Sequence, residues 1–228
     1  MTLTLAVDTA SAHKSGAHGS IALADESGVL EEVSLTAPQG FSHVLFGEIG
    51  ALLSRRGLRL EDIQLFAGCN GPGSFTGVRV GLSAIKGLAE VVGRRVIGIS
   101  SLDALADLSR APLRAAIIDT QRGEVYAAVL RADGTPILSE IVLPFAKLLP
   151  LLPDEPFEWI TPDLETIGPL IEASPFASRP ILHAPRAMAG IMAHIAIRRA
   201  AAGFAQDPAA IEANYVRRSD AEIFWREA

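Results

Sequence analysis

One cysteine, Cys69, stands in 228 residues, so no disulfide forms within the chain and no multi-cysteine zinc site can be assembled. Lysine is scarce: Lys14, Lys86 and Lys147 are the only three among 20 basic residues, the rest being arginines. Positive charge is not in excess either. The 26 acidic residues outnumber the 20 basic ones and leave a net charge of −6. A global basic field for nucleic acid is thereby excluded, and any RNA contact is left to a local patch or a partner. No uncharged apolar run reaches the roughly 18 residues a membrane helix requires. The opening Met1-Thr-Leu-Thr-Leu-Ala-Val-Asp8 has no basic segment ahead of an apolar one, so no signal peptide is expected. The expected compartment is a reducing cytoplasm, with no membrane association.

Catalytic and metal signatures are missing as well. His13, His18, His43, His183 and His194 form no His-x-x-x-His or His-Glu-x-x-His pair, so neither a metal site nor a zinc peptidase is expected. Cys69 reads as a small buried residue at a strand end, not a nucleophile. What remains is ordinary for a globular α/β chain: 49% hydrophobic and 20% charged residues, ample for a packed core.

An internal repeat organises that material. Leu5-Ala-Val-Asp-Thr9, a loop from Ser11 to His18, then Gly19 to Val33 with an acidic turn at Gly28, corresponds to Ala116-Ile-Ile-Asp-Thr120, a short loop, then Gly123 to Ile141 with a turn at Gly134. Each copy reads as a buried strand ending in Asp-Thr, a return strand, a turn and a third strand. Duplication predicts two similar α/β lobes, the first over 1–110 and the second over 111–210, with the tail 211–228 folding back on the first. Helical spacing is read over Ser42–Arg56, Phe75–Val92, Ser101–Leu108, Phe145–Leu152, Asp163–Ala173 and Arg186–Ala202. Further strands are read at Ile63–Ala67, Arg95–Ile99, Phe157–Ile160 and Arg179–Leu182.

Cys69-Asn-Gly-Pro-Gly-Ser-Phe-Thr-Gly77-Val-Arg79 joins a strand to a helix. It lacks the Gly-Lys-Ser/Thr of a Walker loop, although amides at such a junction can hold a phosphate. The plainer reading is a tight turn with Ser74 as helix cap. In the helix that follows, Gly77, Gly81 and Gly87 each cost about 1 kcal/mol relative to alanine. With Ala84 they make a shallow surface. It serves either close packing on the chain's own sheet or the approach of a second chain, with Phe41–Arg56 as the neighbouring helix.

Ala6-Val-Asp-Thr9, the string Gly71-Pro-Gly-Ser-Phe-Thr-Gly-Val-Arg-Val-Gly-Leu82, Lys86-Gly-Leu-Ala89, Ile97-Gly-Ile-Ser-Ser-Leu-Asp-Ala-Leu105 and Asp119-Thr-Gln-Arg-Gly-Glu-Val-Tyr126 together resemble the TsaB (YeaZ) family. The resemblance spans residues 3 to 130 and continues weakly to Asn214-Tyr-Val-Arg217. It implies the actin-like fold of sugar kinases, Hsp70 ATPases and RNase H relatives, with two duplicated lobes. It also implies a non-catalytic subunit of tRNA threonylcarbamoyladenosine modification, pairing with TsaD and the ATPase TsaE, forming a homodimer when alone, and meeting tRNA only through the complex.

The family's pairing surface lies on the first lobe's two helices. Carried onto this chain, it places partner contacts at Val44, Leu45, Glu48, Leu52, Gly77, Val80, Gly81, Ala84, Gly87 and Leu88. The chain alone needs no cofactor on this reading; ATP or ADP with Mg belongs to the complex. An alternative is an autonomous kinase-like or ATPase-like enzyme. For that, Asp8, Thr9 and Asp119, at equivalent strand ends, are the candidate nucleotide or Mg residues, against the plainer reading that both aspartates cap turns. The pairs Arg198/Arg199 and Arg217/Arg218 are candidate phosphate contacts, or a solvated helix face and a salt-bridged tail.

Overall fold

The computed structural model describes residues 2–13 and 16–216. Its elements follow the expected order. Strands β1 (Thr4–His13), β2 (Gly16–Asp25) and β3 (Gly28–Thr36) precede helix α1 (Leu45–Arg55), β4 (Leu65–Gly71), α2 (Phe75–Val92), β5 (Arg95–Ser100) and α3 (Ser101–Asp107). The second series is β6 (Leu113–Asp119), β7 (Val125–Arg131), β8 (Pro136–Leu143), α4 (Phe145–Leu148), β9 (Glu158–Thr161), α5 (Leu164–Glu172), β10 (Ile181–His183) and α6 (Ala189–Ala201).

The duplication is visible in the pairing. One sheet runs β3-β2-β1-β4-β5 and the other β8-β7-β6-β9-β10, the same order. In each, the first three strands are antiparallel and the last two join in parallel. Parallel neighbours need a crossover, and helices supply it.

The chain divides into two compact units, Met1–Ala104 with Pro185–Ala213, and Leu105–Ala184 joined by the described residues from Asn214. This boundary departs from the expected 1–110 and 111–210. Helix α6 follows the second repeat in sequence but packs on strands of the first sheet. Its N-terminal amides explain the placement. Met188 N–H and Ala189 N–H donate to Ser20 Oγ at 3.0 and 2.9 Å, and Gly190 N–H donates to Glu32 Oε1 at 3.0 Å. Ser20 Oγ in turn donates to Glu32 Oε1 at 2.8 Å. Strands β2 and β3 thus cap this helix, and it begins at Ala189 and not at Arg186. The tail is also shared: Ile211 lies in the first unit, while Asn214 Nδ2 donates to Glu140 in the second. Residues 217–228, with Arg217 and Arg218, lie outside the described residues.

Two further differences are local. The expected Ser11–His18 loop is instead a continuation of the β1–β2 hairpin, with pairs from Ser11↔His18 to His13↔Gly16 after a register shift past Asp8. The shift absorbs one residue, and the rest of the added length extends the hairpin. The expected helix 145–152 shortens to α4 and a 3-10 turn, Leu149–Leu151, because Pro150 and Pro153 cannot donate. Helix α2, by contrast, spans the residues expected of it: Ser74 Oγ accepts from Gly77 N–H at 3.2 Å, and Gly93 closes it at φ 64°.

Alternation along the strands assigns faces in the first sheet. Val7 and Thr9 point to α2: a Cβ at Gly81 would meet Thr9 Oγ1 and Val7 Cγ1. Ser20, the partner of Asp8, points to α6. The sheet therefore lies between α2 and α6. The contact with α2 is close. Thr9 Oγ1 donates to Gly77 O at 2.7 Å, and a Cβ at Gly77 would sit 1.9 Å from Thr9 O. A Cβ at Gly87 meets nothing within 4 Å. We expect Gly77→Ala to destabilise the fold by about 1–3 kcal/mol through overpacking, and Gly87→Ala to stabilise it by about 0.5–1 kcal/mol through helix propensity. Urea denaturation of the two variants checks both signs.

Candidate functional site: a buried aspartate cluster and a helix flank

Asp8 sits on β1 under α6 and is 4% exposed. It does not end its strand; β1 runs on past it to His13. Its Oδ1 accepts from Ala10 N–H at 2.9 Å. On β4 the neighbouring Cys69 points to the same face and lies between Asp8 and Ser101, with Cys69 Sγ and Ser101 Oγ 3.0 Å apart. Burial pushes the Asp8 carboxyl up from 3.8 to about 6; the Ala10 amide and the Cys69 thiol oppose this, and the Glu32 carboxylate adds to it. Burial, then the nearby Asp8 charge, pushes the Cys69 thiol far above its ordinary value. Cys69 is therefore the inert buried residue expected, although the sequence did not reveal its neighbours Asp8 and Ser101.

The second repeat repeats the turn but not the burial. Asp119 Oδ1 accepts from Gln121 N–H at 2.8 Å and Oδ2 from Gln121 Nε2 at 3.0 Å. Both aspartates therefore hold the amide two residues on, Asp119 at the turn after β6 and Asp8 at the register shift within β1. The two threonines differ: Thr120 Oγ1 donates locally to Glu124 O at 2.9 Å, whereas Thr9 Oγ1 reaches Gly77 O on α2. Asp163 was not foreseen. It is 4% exposed, and its Oδ2 accepts from Asp119 N–H at 2.9 Å. Among the described residues, no group of three or more His, Cys, Asp or Glu is placed to hold a metal.

The expected partner surface divides in two. Leu45 and Leu52 are fully buried, Ala84 nearly so, and Gly77 and Gly81 face Thr9. These five belong to the core of the first unit. The glycines at 77 and 81 are small because strand β1 lies against them, so a bulky residue at 81 or 84 would report on folding and not on pairing. Val44, Glu48, Val80, Gly87 and Leu88 stay half-buried or exposed. Residues the sequence reading did not name join them. Val91 is 80% and Phe46 59% exposed, and Gly47 and Gly50 on α1 have open space where a Cβ would be. Val80, Gly87 and Val91, seven and four residues apart and so two turns and one turn on, lie along one flank of α2 with Leu88 beside them. Of the arginines considered for phosphate, Arg199 is paired with Asp103 at 2.6 Å. No helix among the described residues is long and apolar enough to cross a membrane.

A family profile described as TsaD, tRNA N6-adenosine threonylcarbamoyltransferase, matches residues 24–168. The chain belongs to this family. The tRNA threonylcarbamoyladenosine biosynthesis protein TsaB of Escherichia coli is 34% identical over 133 residues, which cover 57% of this chain and 55% of that protein. The chain thus spans about half the length of the curated relatives it matches. The solved structure of YeaZ from Pseudomonas aeruginosa superposes with a TM-score of 0.74 at 25% identity, covering 94% of this chain and 100% of that one. The resemblance to TsaB and YeaZ is borne out. The activator of 2-hydroxyisocaproyl-CoA dehydratase from Clostridium difficile, solved with bound ADPNP, gives a TM-score of 0.52 at 10% identity over 89% of this chain and 97% of that one. That likeness is one of fold. The fold is α/β and actin-like, with two duplicated halves.

The cluster around Asp8 gives a pH test with a definite sign. Between about pH 4 and 6 the unfolded chain loses the Asp8 proton while the folded chain keeps it, so stability falls as pH rises through that window. Above it the penalty is constant, at about 3 kcal/mol. Asp8→Asn should therefore raise stability at pH 7 by up to about that amount and flatten the decline between pH 4 and 6. Urea denaturation across that range measures it; a wild-type slope preserved in the variant would contradict the assignment.

Proposed function

We propose that the chain is a non-catalytic subunit of tRNA N6-threonylcarbamoyladenosine biosynthesis. It pairs through α1 and α2 with a larger TsaD-type homologue and works beside a TsaE-type ATPase. The larger partner performs the transfer, tRNA is met only in the complex, and any ATP or ADP with Mg is bound there. Without its partner, the same flank joins two copies. The observation that carries this reading is the solvent-facing apolar flank of α2, where Val91 is 80% exposed beside the open backbone of Gly87. An apolar flank next to bare backbone admits a second helix at short range, and the relatives with this helix bear the TsaB and YeaZ names.

Corrected for burial, the contact residues are Val44, Glu48, Val80, Gly87 and Leu88, extended by Phe46 and Val91. Gly87→Arg and Val91→Glu are the useful probes, because neither position meets the core. Each should weaken binding to the TsaD homologue from the same source at least tenfold, about 1.4 kcal/mol, without lowering the stability of the isolated chain. Titration calorimetry and urea denaturation measure the two quantities. Mixing the chain with TsaD and TsaE homologues, tRNA, ATP and threonylcarbamoyl-adenylate should give modified adenosine, scored by mass spectrometry, only when the chain is present. Modification without it would overturn the subunit role.

The second reading, an autonomous nucleotide-binding enzyme, draws support from Asp8, a buried carboxyl with a raised pKa. It requires the isolated chain to bind ATP and Asp8→Ala to abolish that binding.

A further inference from the structure

The motif Lys86-Gly-Leu-Ala89 contributes Gly87 and Leu88 to the proposed pairing flank, but Lys86 lies on the other flank of α2. There its ammonium Nζ donates to two backbone carbonyls far along the chain, Ile211 O at 2.9 Å and Ala209 O at 3.3 Å. Both belong to the segment that leaves α6. Gly203, at φ 85°, ends the helix, with its N–H donating to Ala200 O and Phe204 N–H to Arg199 O. Gln206 then pairs antiparallel with Val96, each N–H donating to the other's carbonyl, at 2.9 and 3.0 Å. Asp207 caps a 3-10 turn, Pro208–Ala210, by accepting from Ala209 N–H at 2.9 Å. Pro208 and Ile211 are buried, while Phe204 is 65% exposed.

We propose that residues 203–211 form a strap over the outer edge of β5, and that Lys86 is the latch that seats it. Strand β5 is the edge of its sheet, and a single bridge to Gln206 covers it. One bridge is weak by itself, because two backbone hydrogen bonds barely offset the ordering of the segment that makes them. The charged donor is the stronger tie. Its two acceptors lie at the end of the 3-10 turn, where carbonyls have no partner of their own within the turn. Lys86 thus fixes the far end of the strap, the turn Pro208–Ala210 packs on α2 with Ile211 buried after it, and the bridge at Val96 closes as a consequence. When the strap lifts, β5 presents an unpaired row of backbone groups, which another strand can pair with. The proposal does not depend on the subunit reading above; Lys86 projects about 100° around α2 from Gly87, away from the pairing flank.

Native-state hydrogen exchange on the full chain tests it. In Lys86→Met, the amides of Val96 and Gln206 should lose protection by at least about tenfold, while the amide of Val7 in central β1 keeps its own. Lys86→Arg, which retains a charged donor, should restore most of the protection. Brief proteolysis should cut Lys86→Met, and not the parent, between Phe204 and Val216. Unchanged protection at Gln206 in Lys86→Met would overturn the latch. So would an equal loss at Val7, which would make Lys86 a support of the whole unit.

Discussion

The backbone of β1 at Thr9 lies directly against the backbone of α2 at Gly77, and the first unit is arranged around that approach. The threonine hydroxyl donates to the Gly77 carbonyl, and its own carbonyl occupies the space a Cβ would need. Helix and strand can come this near only where the helix has no side chain. Once they do, the rotation of α2 is fixed. Gly77, Gly81 and Ala84 turn inward, and the flank carrying Val80, Gly87 and Val91 turns to solvent. Strand alternation does the rest: with Thr9 committed to α2, Asp8 and Cys69 must face the opposite layer, beneath α6. The two features the sequence singled out in the first half, Asp8 and the glycine-bearing helix, therefore lie on opposite faces of one sheet and do not form a single site.

The parts of this arrangement legible in the sequence are those that local pattern determines. Helix α2 was readable to the residue because its apolar spacing, its serine cap and its closing glycine all lie within it. The first three strands of each sheet followed from the Asp-Thr segments and their turns. The unreadable parts depend on residues far apart. Nothing near Ala189 indicates that Ser20 and Glu32 will cap the helix beginning there. The glycines show the limit of composition most clearly: Gly81 and Gly87 are alike as letters, yet one is small because β1 presses on it and the other faces open space. Only the register between strand and helix distinguishes them. Asp163 was missed for a similar reason, since its role is to receive the Asp119 amide from another strand.

The two halves share a strand order but use different materials to pack it. The second is filled by aromatic rings: Trp159 is fully buried, edge-on to Phe157 with centroids 5.0 Å apart, and Phe145 and Phe176 extend the group. Bulky rings keep elements apart and fill the space between them. The first is filled mainly by leucine and isoleucine, with Phe41 and Phe66 buried among them, and uses Gly77 and Gly81 where helix and strand draw together. The same topology thus accommodates a close helix–strand approach in one half and a cluster of aromatic rings in the other. The aspartate that is buried in the first half is more open to water in the second.

Helix α6 also bears on how the chain is made. A ribosome releases β1 to β5 long before residues 185–213, yet the face of that sheet bearing Ser20 and Asp8 is packed by α6, which follows the second repeat. Until α6 emerges, that face lacks its packing partner. The second half, by contrast, has nearly all its residues in one continuous stretch. A contiguous half can close as soon as it emerges, whereas a discontinuous one must wait. The nascent chain is therefore expected to complete its later half first, and to finish its earlier half only after residues 185–213 have emerged, the reverse of the order in which the residues are written.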